Sequence, residues 1–356
     1  MSHPSVPVID VAALVSADST PEERASVGAE LVRAAEQQGF FGISGHGIDP
    51  TLLDRLRDAA AAFFALDDDE KDAVAMRRGG SAWRGWFPFG GELTSGVPDG
   101  KEGYYFGTEL DDEHPAVRAG RPLHGPNLFP DRPAELGPLV LDWMDRVTDV
   151  GRRVLAGLAL GLGLHENWFD RWCADPTVLF RIFHYPPPPE GFRGEWGVAE
   201  HTDYGLLTLL AQDGTGGLEV RIDDEWVEVP PSPEVLVCNL GDMLERATAG
   251  RLRSTAHRVR VPDRHRYSFP LFLDPGWDAV IEPLPAATHR VRPGASRWDG
   301  EDVMAVDGPY GEYLLSRVAR VFPELFDEAV PDPGQTLATS TTRRFGDSSR
   351  LTWNGR

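Results

Sequence analysis

From residue 178 to residue 273 the chain breaks into short β-type runs separated by turn residues, and this rhythm constrains the fold more than any other feature. The runs cover 179–185, 205–211, 218–222, 226–229, 235–239, 257–261 and 267–273. Strands this short and this frequent argue for an antiparallel sandwich or barrel. Asp223-Asp224, between two of the runs, reads as a hairpin turn.

The flanks have a different period. After a short β-type run at 6–11, Thr20-Pro21-Glu22-Glu23 can cap and start a helix, with Val27, Leu31, Ala34 and Ala35 at helical spacing and Gly39 as its stop. Residues 40–44 read as a strand, Asp49-Pro50 opens a second helix, and a third helical stretch spans 134–164. Residues 75–132 are rich in Gly, Pro and aromatics, which fits long loops and short strands. A last amphipathic helix covers 310–322, and the tail after Pro331 is polar. The expected architecture is mainly β with flanking helices and an N-terminal α/β region. Three segments are expected, 1–165, 176–275 and 276–356, packed as one compact unit; a chain of 356 residues built on a barrel or sandwich can be a single domain.

Composition excludes several partners. The formal charge of −21 repels nucleic-acid phosphates and anionic membranes. No run of about 18 uncharged apolar residues marks a membrane span, and no basic segment followed by an apolar one marks a secretory signal. Cys173 and Cys238 are too few for a disulfide framework and read as buried free thiols in a reducing cytoplasm. Lys71 and Lys101 are the only lysines; with abundant Ala and Gly, that bias points to a GC-rich bacterial genome.

The chemistry centres on His201-Thr202-Asp203 and on His257, at the head of a later run. Residues two apart on a strand project from one face, so His201 and Asp203 can reach a common ion. Although 53 residues separate Asp203 from His257, a jelly roll can return the second histidine to the same point. Two imidazoles and one carboxylate on one face of an octahedron suit Fe(II) and leave three positions open. Alone, an H-x-D triplet is weak. Nine residues after His257, however, Arg266-Tyr267-Ser268 puts a guanidinium and a hydroxyl on one strand face, a combination that grips a carboxylate.

In these motifs the chain resembles the isopenicillin N synthase-like Fe(II)/2-oxoglutarate-dependent oxygenases, over roughly residues 5–330. The N-terminal part carries Val6-Pro7-Val8-Ile9-Asp10, Gly39-Phe40-Phe41 and Gly45-His46-Gly47-Ile48. The C-terminal part carries Glu200-His201-Thr202-Asp203, Asn239-Leu240-Gly241-Asp242, Ser254-Thr255-Ala256-His257-Arg258-Val259 and Arg266-Tyr267-Ser268-Phe269-Pro270. The resemblance implies a double-stranded β-helix core (jelly roll, cupin-like), with His201, Asp203 and His257 as iron ligands. It implies Arg266 and Ser268 as partners of the distal carboxylate of 2-oxoglutarate. Tyr185 matches a tyrosine that hydrogen-bonds the cosubstrate in several members, or else packs on the barrel; Phe183 stands where many plant members have Asn. His46, His184 and His265 read as structural.

The implied activity is a dioxygenase using Fe(II), 2-oxoglutarate and O2. It hydroxylates, desaturates or cyclises a small metabolite, in secondary metabolism, and releases succinate and CO2. Trp83, Trp86, Phe87, Tyr104 and Tyr105, with Arg84 and Lys101 nearby, suit an organic substrate with an apolar body and an anionic group. A monomer or weak homo-oligomer is expected. Two rival readings remain: an oxidase, like isopenicillin N synthase or the ethylene-forming enzyme, that does not use 2-oxoglutarate conventionally, and a non-catalytic small-molecule-binding jelly roll.

Overall fold

The computed structural model describes residues 5–94, 96–284, 300 and 302–323. The strands are β1 (Val8–Asp10), β2 (Phe40–Ser44), β3 (Gly85–Phe87), β4 (Leu93–Thr94), β5 (Val97–Pro98), β6 (Glu102–Gly107), β7 (Thr177–Tyr185), β8 (Trp196–His201), β9 (Leu207–Gln212), β10 (Leu218–Ile222), β11 (Glu225–Glu228), β12 (Leu236–Leu240), β13 (His257–Arg260) and β14 (Arg266–Asp274). Among the helices of the described residues, those that matter here are α1 (Pro21–Gln37), α2 (Pro50–Phe64), α3 (Leu136–Gly161), α4 (Asp242–Ala247) and α5 (Tyr310–Val321).

Two sheets form the core. The larger has eight strands in the order β1-β2-β12-β9-β14-β7-β6-β3, and the smaller has four in the order β11-β10-β13-β8. Pairing is antiparallel apart from β1 on β2. Phe40 and Tyr185 from the large sheet and Val198, Val220 and Val259 from the small one share an apolar cluster between the two sheets. This is the jelly roll. Strands from the N-terminal segment, β1, β2, β3 and β6, extend the large sheet on both sides.

The sequence explains the helical layer. Thr20 and Glu23 close a capping box on α1, and Asp49 caps α2. The inner stripe of α3, including Leu139, Trp143, Val147, Val150 and Val154, is buried; each such side chain contributes roughly 1.5–3 kcal/mol. Helices α1 and α3 cross closely because Gly28 meets Gly157 and Gly161. A methyl at Gly28 would lie 2.4 Å from the Gly157 carbonyl oxygen. The hairpin at Asp223-Asp224 has both residues in the left-handed region, with φ of 48° and 65°, as a two-residue β10–β11 turn requires.

Strand β8, which carries His201, is absent from the runs read in the sequence. Its pairing with β13 shifts register twice. The irregularity lets Val198 and His201, three residues apart, both face the interior, and it removes the period-two signature of a strand. It also ends β8 at His201, so Asp203 sits just beyond the strand rather than on it. Among the described residues no helix is long and apolar enough to cross a membrane. The polar tail after Pro331 lies outside the described residues.

Candidate metal centre

His201 and His257 face each other directly across the β8–β13 ladder, with ring centroids 4.1 Å apart. Their Nε2 atoms lie 3.9 and 3.8 Å from Oδ1 of Asp203, and one donor atom from each residue falls within 4.8 Å of the others. The remaining atoms of all three side chains are committed elsewhere. Nδ1–H of His201 donates to the Ala199 carbonyl at 2.8 Å, and Nδ1–H of His257 donates to the Thr255 carbonyl at 3.2 Å. A carbonyl can only accept, so both imidazoles present a bare Nε2 lone pair toward Asp203. Oδ2 of Asp203 accepts from Thr208 Oγ1 at 2.5 Å and Asn239 Nδ2 at 2.6 Å, which leaves Oδ1 for the shared centre.

The backbone holds Asp203 as tightly. Its carbonyl accepts from the amide of Asp242, and the Gly205 carbonyl accepts from Met243. Gly241 packs against Gly205 so closely that a methyl there would lie 2.3 Å from the Gly205 oxygen. Electrostatics keep Asp203 and His257 in ligand form. Burial pushes the Asp203 carboxyl up, but His257, His201, Asn239 and Thr208 outweigh it, and the net shift is downward. Burial, reinforced by His201, lowers His257 to about 4 against the pull of Asp203. An ionised carboxylate beside a neutral imidazole is the donor set that a divalent ion takes.

A cavity of about 160 Å³ adjoins these donors. Alternate residues of β14 line it, from Arg266 and Ser268 through Pro270 and Phe272 to Asp274, as do alternate residues of β7 from Leu179 to Tyr185. All six residues singled out in the sequence, His201, Asp203, His257, Arg266, Ser268 and Tyr185, face this one space. Arg266 is 1 % exposed. Its Nε donates to the Gly216 carbonyl at 2.7 Å, while Nη1 and Nη2 are buried without a partner. Tyr185 lies opposite Arg266 in the ladder, with its ring 4.6 Å below the guanidinium. Two buried, unpartnered guanidinium nitrogens are costly unless an anion meets them, and a bidentate carboxylate is the group that matches their fork.

Sequence reasoning missed Thr208 and Asn239, the partners of Asp203, although Asn239 lies in a motif already quoted. It also missed Gln212, which sits opposite Ser268 with both amide atoms buried and unpartnered. Of the residues proposed to receive substrate, Trp83, Tyr105 and Lys101 line the cavity. Arg84 lines a separate small pocket with His124 and Trp277, and Lys101 is ion-paired to both Glu92 and Asp99. His184 points to the far side of the sheet, bonding Glu102 and His265.

A jelly roll with two imidazoles and a carboxylate around one point, beside a buried unpaired arginine, defines a mononuclear non-haem metalloenzyme. Two family profiles match the chain: one described as non-haem dioxygenase in morphine synthesis N-terminal, over residues 6–132, and one described as the 2OG-Fe(II) oxygenase superfamily, over residues 176–275. A probable iron/ascorbate oxidoreductase of Dictyostelium discoideum is 40% identical over 347 residues, covering 90% of this chain and 95% of its own. A homoarginine-6-hydroxylase of Glycine max is 33% identical, covering 90% and 98%. The crystal structure of a full-length Neurospora crassa protein in complex with alpha-KG and thymine superposes with a TM-score of 0.72 at 26% identity, covering 88% and 96%. The chain therefore belongs to the 2OG-Fe(II) oxygenase superfamily. It is an oxidoreductase, a dioxygenase that uses Fe(II) and 2-oxoglutarate on a small-molecule substrate.

Proposed function

We propose that His201, Asp203 and His257 are the iron ligands, and that Arg266 and Ser268 hold the distal carboxylate of 2-oxoglutarate over the ring of Tyr185. The single observation that carries this is the pair of buried, unpartnered Arg266 nitrogens in the cavity that the three metal donors face. Iron bound there supplies O2 activation coupled to decarboxylation of 2-oxoglutarate to succinate and CO2. The protein side chains supply position. Thr208 and Asn239 aim one oxygen of Asp203 at the metal. The carbonyls of Ala199 and Thr255 fix both histidine tautomers. Arg266 and Ser268 set the register of the cosubstrate along β14. Leu314, Val318 and Phe322 wall the cavity on the side of α5.

The substrate is a small organic molecule with an apolar body and an anionic group, which is hydroxylated, desaturated or cyclised. The small molecules named for the homoarginine hydroxylase and for the Neurospora crassa complex support that scale. The segments 1–165, 176–275 and 276–356 act as one unit, a reading supported by the N-terminal strands within the core sheet. A cytoplasmic bacterial setting in secondary metabolism, as a monomer or weak homo-oligomer, fits the Arg-for-Lys bias and the two buried free thiols.

Anaerobic titration of the Fe(II) protein with 2-oxoglutarate tests the assignment. The expected result is a weak visible charge-transfer band that saturates at one equivalent. Bound iron without a band would favour the oxidase chemistry. Substrate-dependent succinate release excludes a non-catalytic binder.

A further inference from the structure

The cavity is longer than the cosubstrate half needs. Arg266 stands opposite Tyr185 at one end of the β7–β14 ladder. Arg181, on the same face of β7, lies four residues along, about 13 Å away at ~3.3 Å per residue. Arg181 lines the same cavity and is 8 % exposed.

Its guanidinium is held by carbonyls and aromatic rings, and the acids Glu92 and Asp274 act on it only from beyond ion-pair distance. Nη1 donates to the carbonyls of Phe106 and Phe180, each at 3.2 Å. The guanidinium stacks over the Tyr105 ring at 3.5 Å, with Phe272 at 5.8 Å on another side. Among the described residues no carboxylate forms an ion pair with it. The nearby acids are committed: Glu92 accepts from Tyr105 OH at 2.6 Å and pairs with Lys101 at 2.8 Å, and Asp274 accepts from Tyr310 OH at 2.6 Å. Lys101, by contrast, has two carboxylates in direct contact. A buried guanidinium with no carboxylate in direct contact bears a desolvation cost that an incoming anion would relieve.

We propose that Arg181 anchors a carboxylate of the substrate, and that the substrate is an organic acid whose apolar body lies against Val318 and Phe322. The inference rests on assigning the Arg266 end to 2-oxoglutarate, because that assignment leaves the Arg181 end to the substrate. It moves the anion site from Lys101 and Arg84, where the sequence alone put it, to a residue buried in a core strand. Arg181 is a specificity-determining residue; it fixes which end of the substrate enters.

The test uses the full chain, loaded anaerobically with Fe(II) and 2-oxoglutarate. Benzoate, phenylacetate, 3-phenylpropanoate and octanoate are each titrated against their own primary amides, with tryptophan fluorescence as the readout, since Trp83 lines the cavity. At least one acid is expected to bind tenfold or more tightly than its amide. Arg181→Gln should bring that acid to the level of its amide, and Arg181→Lys should keep a preference for the acid. The charge-transfer band reports whether each variant is folded; should Arg181→Gln lose it, the Lys variant decides, and an acid-to-amide ratio of one in that variant overturns the proposal. Equal binding of acids and amides by the wild type, or no binding by any acid, also overturns it. A wild-type protein that forms no band yet still prefers acids would sink the 2-oxoglutarate assignment and leave the Arg181 anchor standing.

Discussion

Arg266 and Arg181 face one cavity from two ends of neighbouring strands, and the two ends are built on different plans. At the Arg266 end the neighbouring strands β7 and β14 set the walls, and two guanidinium nitrogens and the Ser268 hydroxyl face the cavity; the three candidate metal donors lie farther along, where Thr208, the partner of Asp203, stands opposite Phe272. At the Arg181 end the walls come from distant parts of the chain. Tyr105, opposite Arg181, arrives from the N-terminal segment, and Leu314 and Val318 from α5. Helix α5 is itself pinned by Tyr310 to Asp274 and by Tyr313 to Asp242. One end is a rigid template set by β-sheet register, while the other is an assembly of separately evolvable pieces. A common reaction with interchangeable substrates is what such a division allows.

The largest expected effect is at the three candidate metal donors. Asp203→Ala should reduce turnover to background and weaken Fe(II) binding by more than about 10²-fold, because even a partner of a metal ligand is worth 10–100-fold. Succinate release and metal titration measure this, and unchanged iron uptake would contradict the assignment. Arg266→Gln comes next. It should weaken 2-oxoglutarate on the order of 10²-fold, through two charge-assisted hydrogen bonds of about 1.5–3 kcal/mol each, less what Gln retains. Iron affinity should stay near wild type, so calorimetry with each ligand separates the two roles. Asn239→Ala removes one of the two side-chain donors that hold Asp203. A roughly tenfold loss of metal affinity is expected, at the low end of the range for such partners.

The smallest effect lies at the assembled end and depends on pH. Burial pushes Asp274 up to about 7, against the Tyr310 hydrogen bond. A carboxyl whose folded pKa is raised favours the unfolded chain once that chain ionises. The penalty is absent below the unfolded value near 4, grows between there and about 7, and is constant above. Asp274→Asn should therefore match or fall below the wild type in melting temperature at pH 4. It should gain on the wild type as pH rises and level off above about 7. A difference that ignores pH would mean that Asp274 is ionised throughout.

The two ends also differ in how far the sequence reveals them. Arg266 and Ser268 were legible because β14 is regular and alternates; one period-two rule places both on the cavity face. The helix starts at Thr20 and Asp49 were legible because their capping chemistry is local. The strand bearing His201 was not, because its register shifts erase the alternation that identifies a strand. Arg181 was not legible either. It interrupts the apolar run of β7, and nothing in the local sequence tells whether such a residue is paired across the sheet. Lys101 and Arg84 looked like anion sites for the same reason. Folding supplies Glu92 and Asp99 as partners for the lysine, and the Leu123 carbonyl for Nη2 of the arginine, whose Nε and Nη1 stay unpartnered outside the main cavity.

His201, Asp203 and His257 are assigned to one ferrous ion, and Arg266 to the distal carboxylate of the cosubstrate bound to it. Anaerobic crystals grown with Fe(II) and N-oxalylglycine, measured at the iron absorption edge, address this directly. The account predicts a single anomalous peak about 2.0–2.2 Å from Nε2 of each histidine and from Oδ1 of Asp203, with the distal carboxylate of the analogue on Nη1 and Nη2 of Arg266. A peak away from these three atoms, or an analogue whose distal carboxylate lies elsewhere than on Arg266, would contradict it.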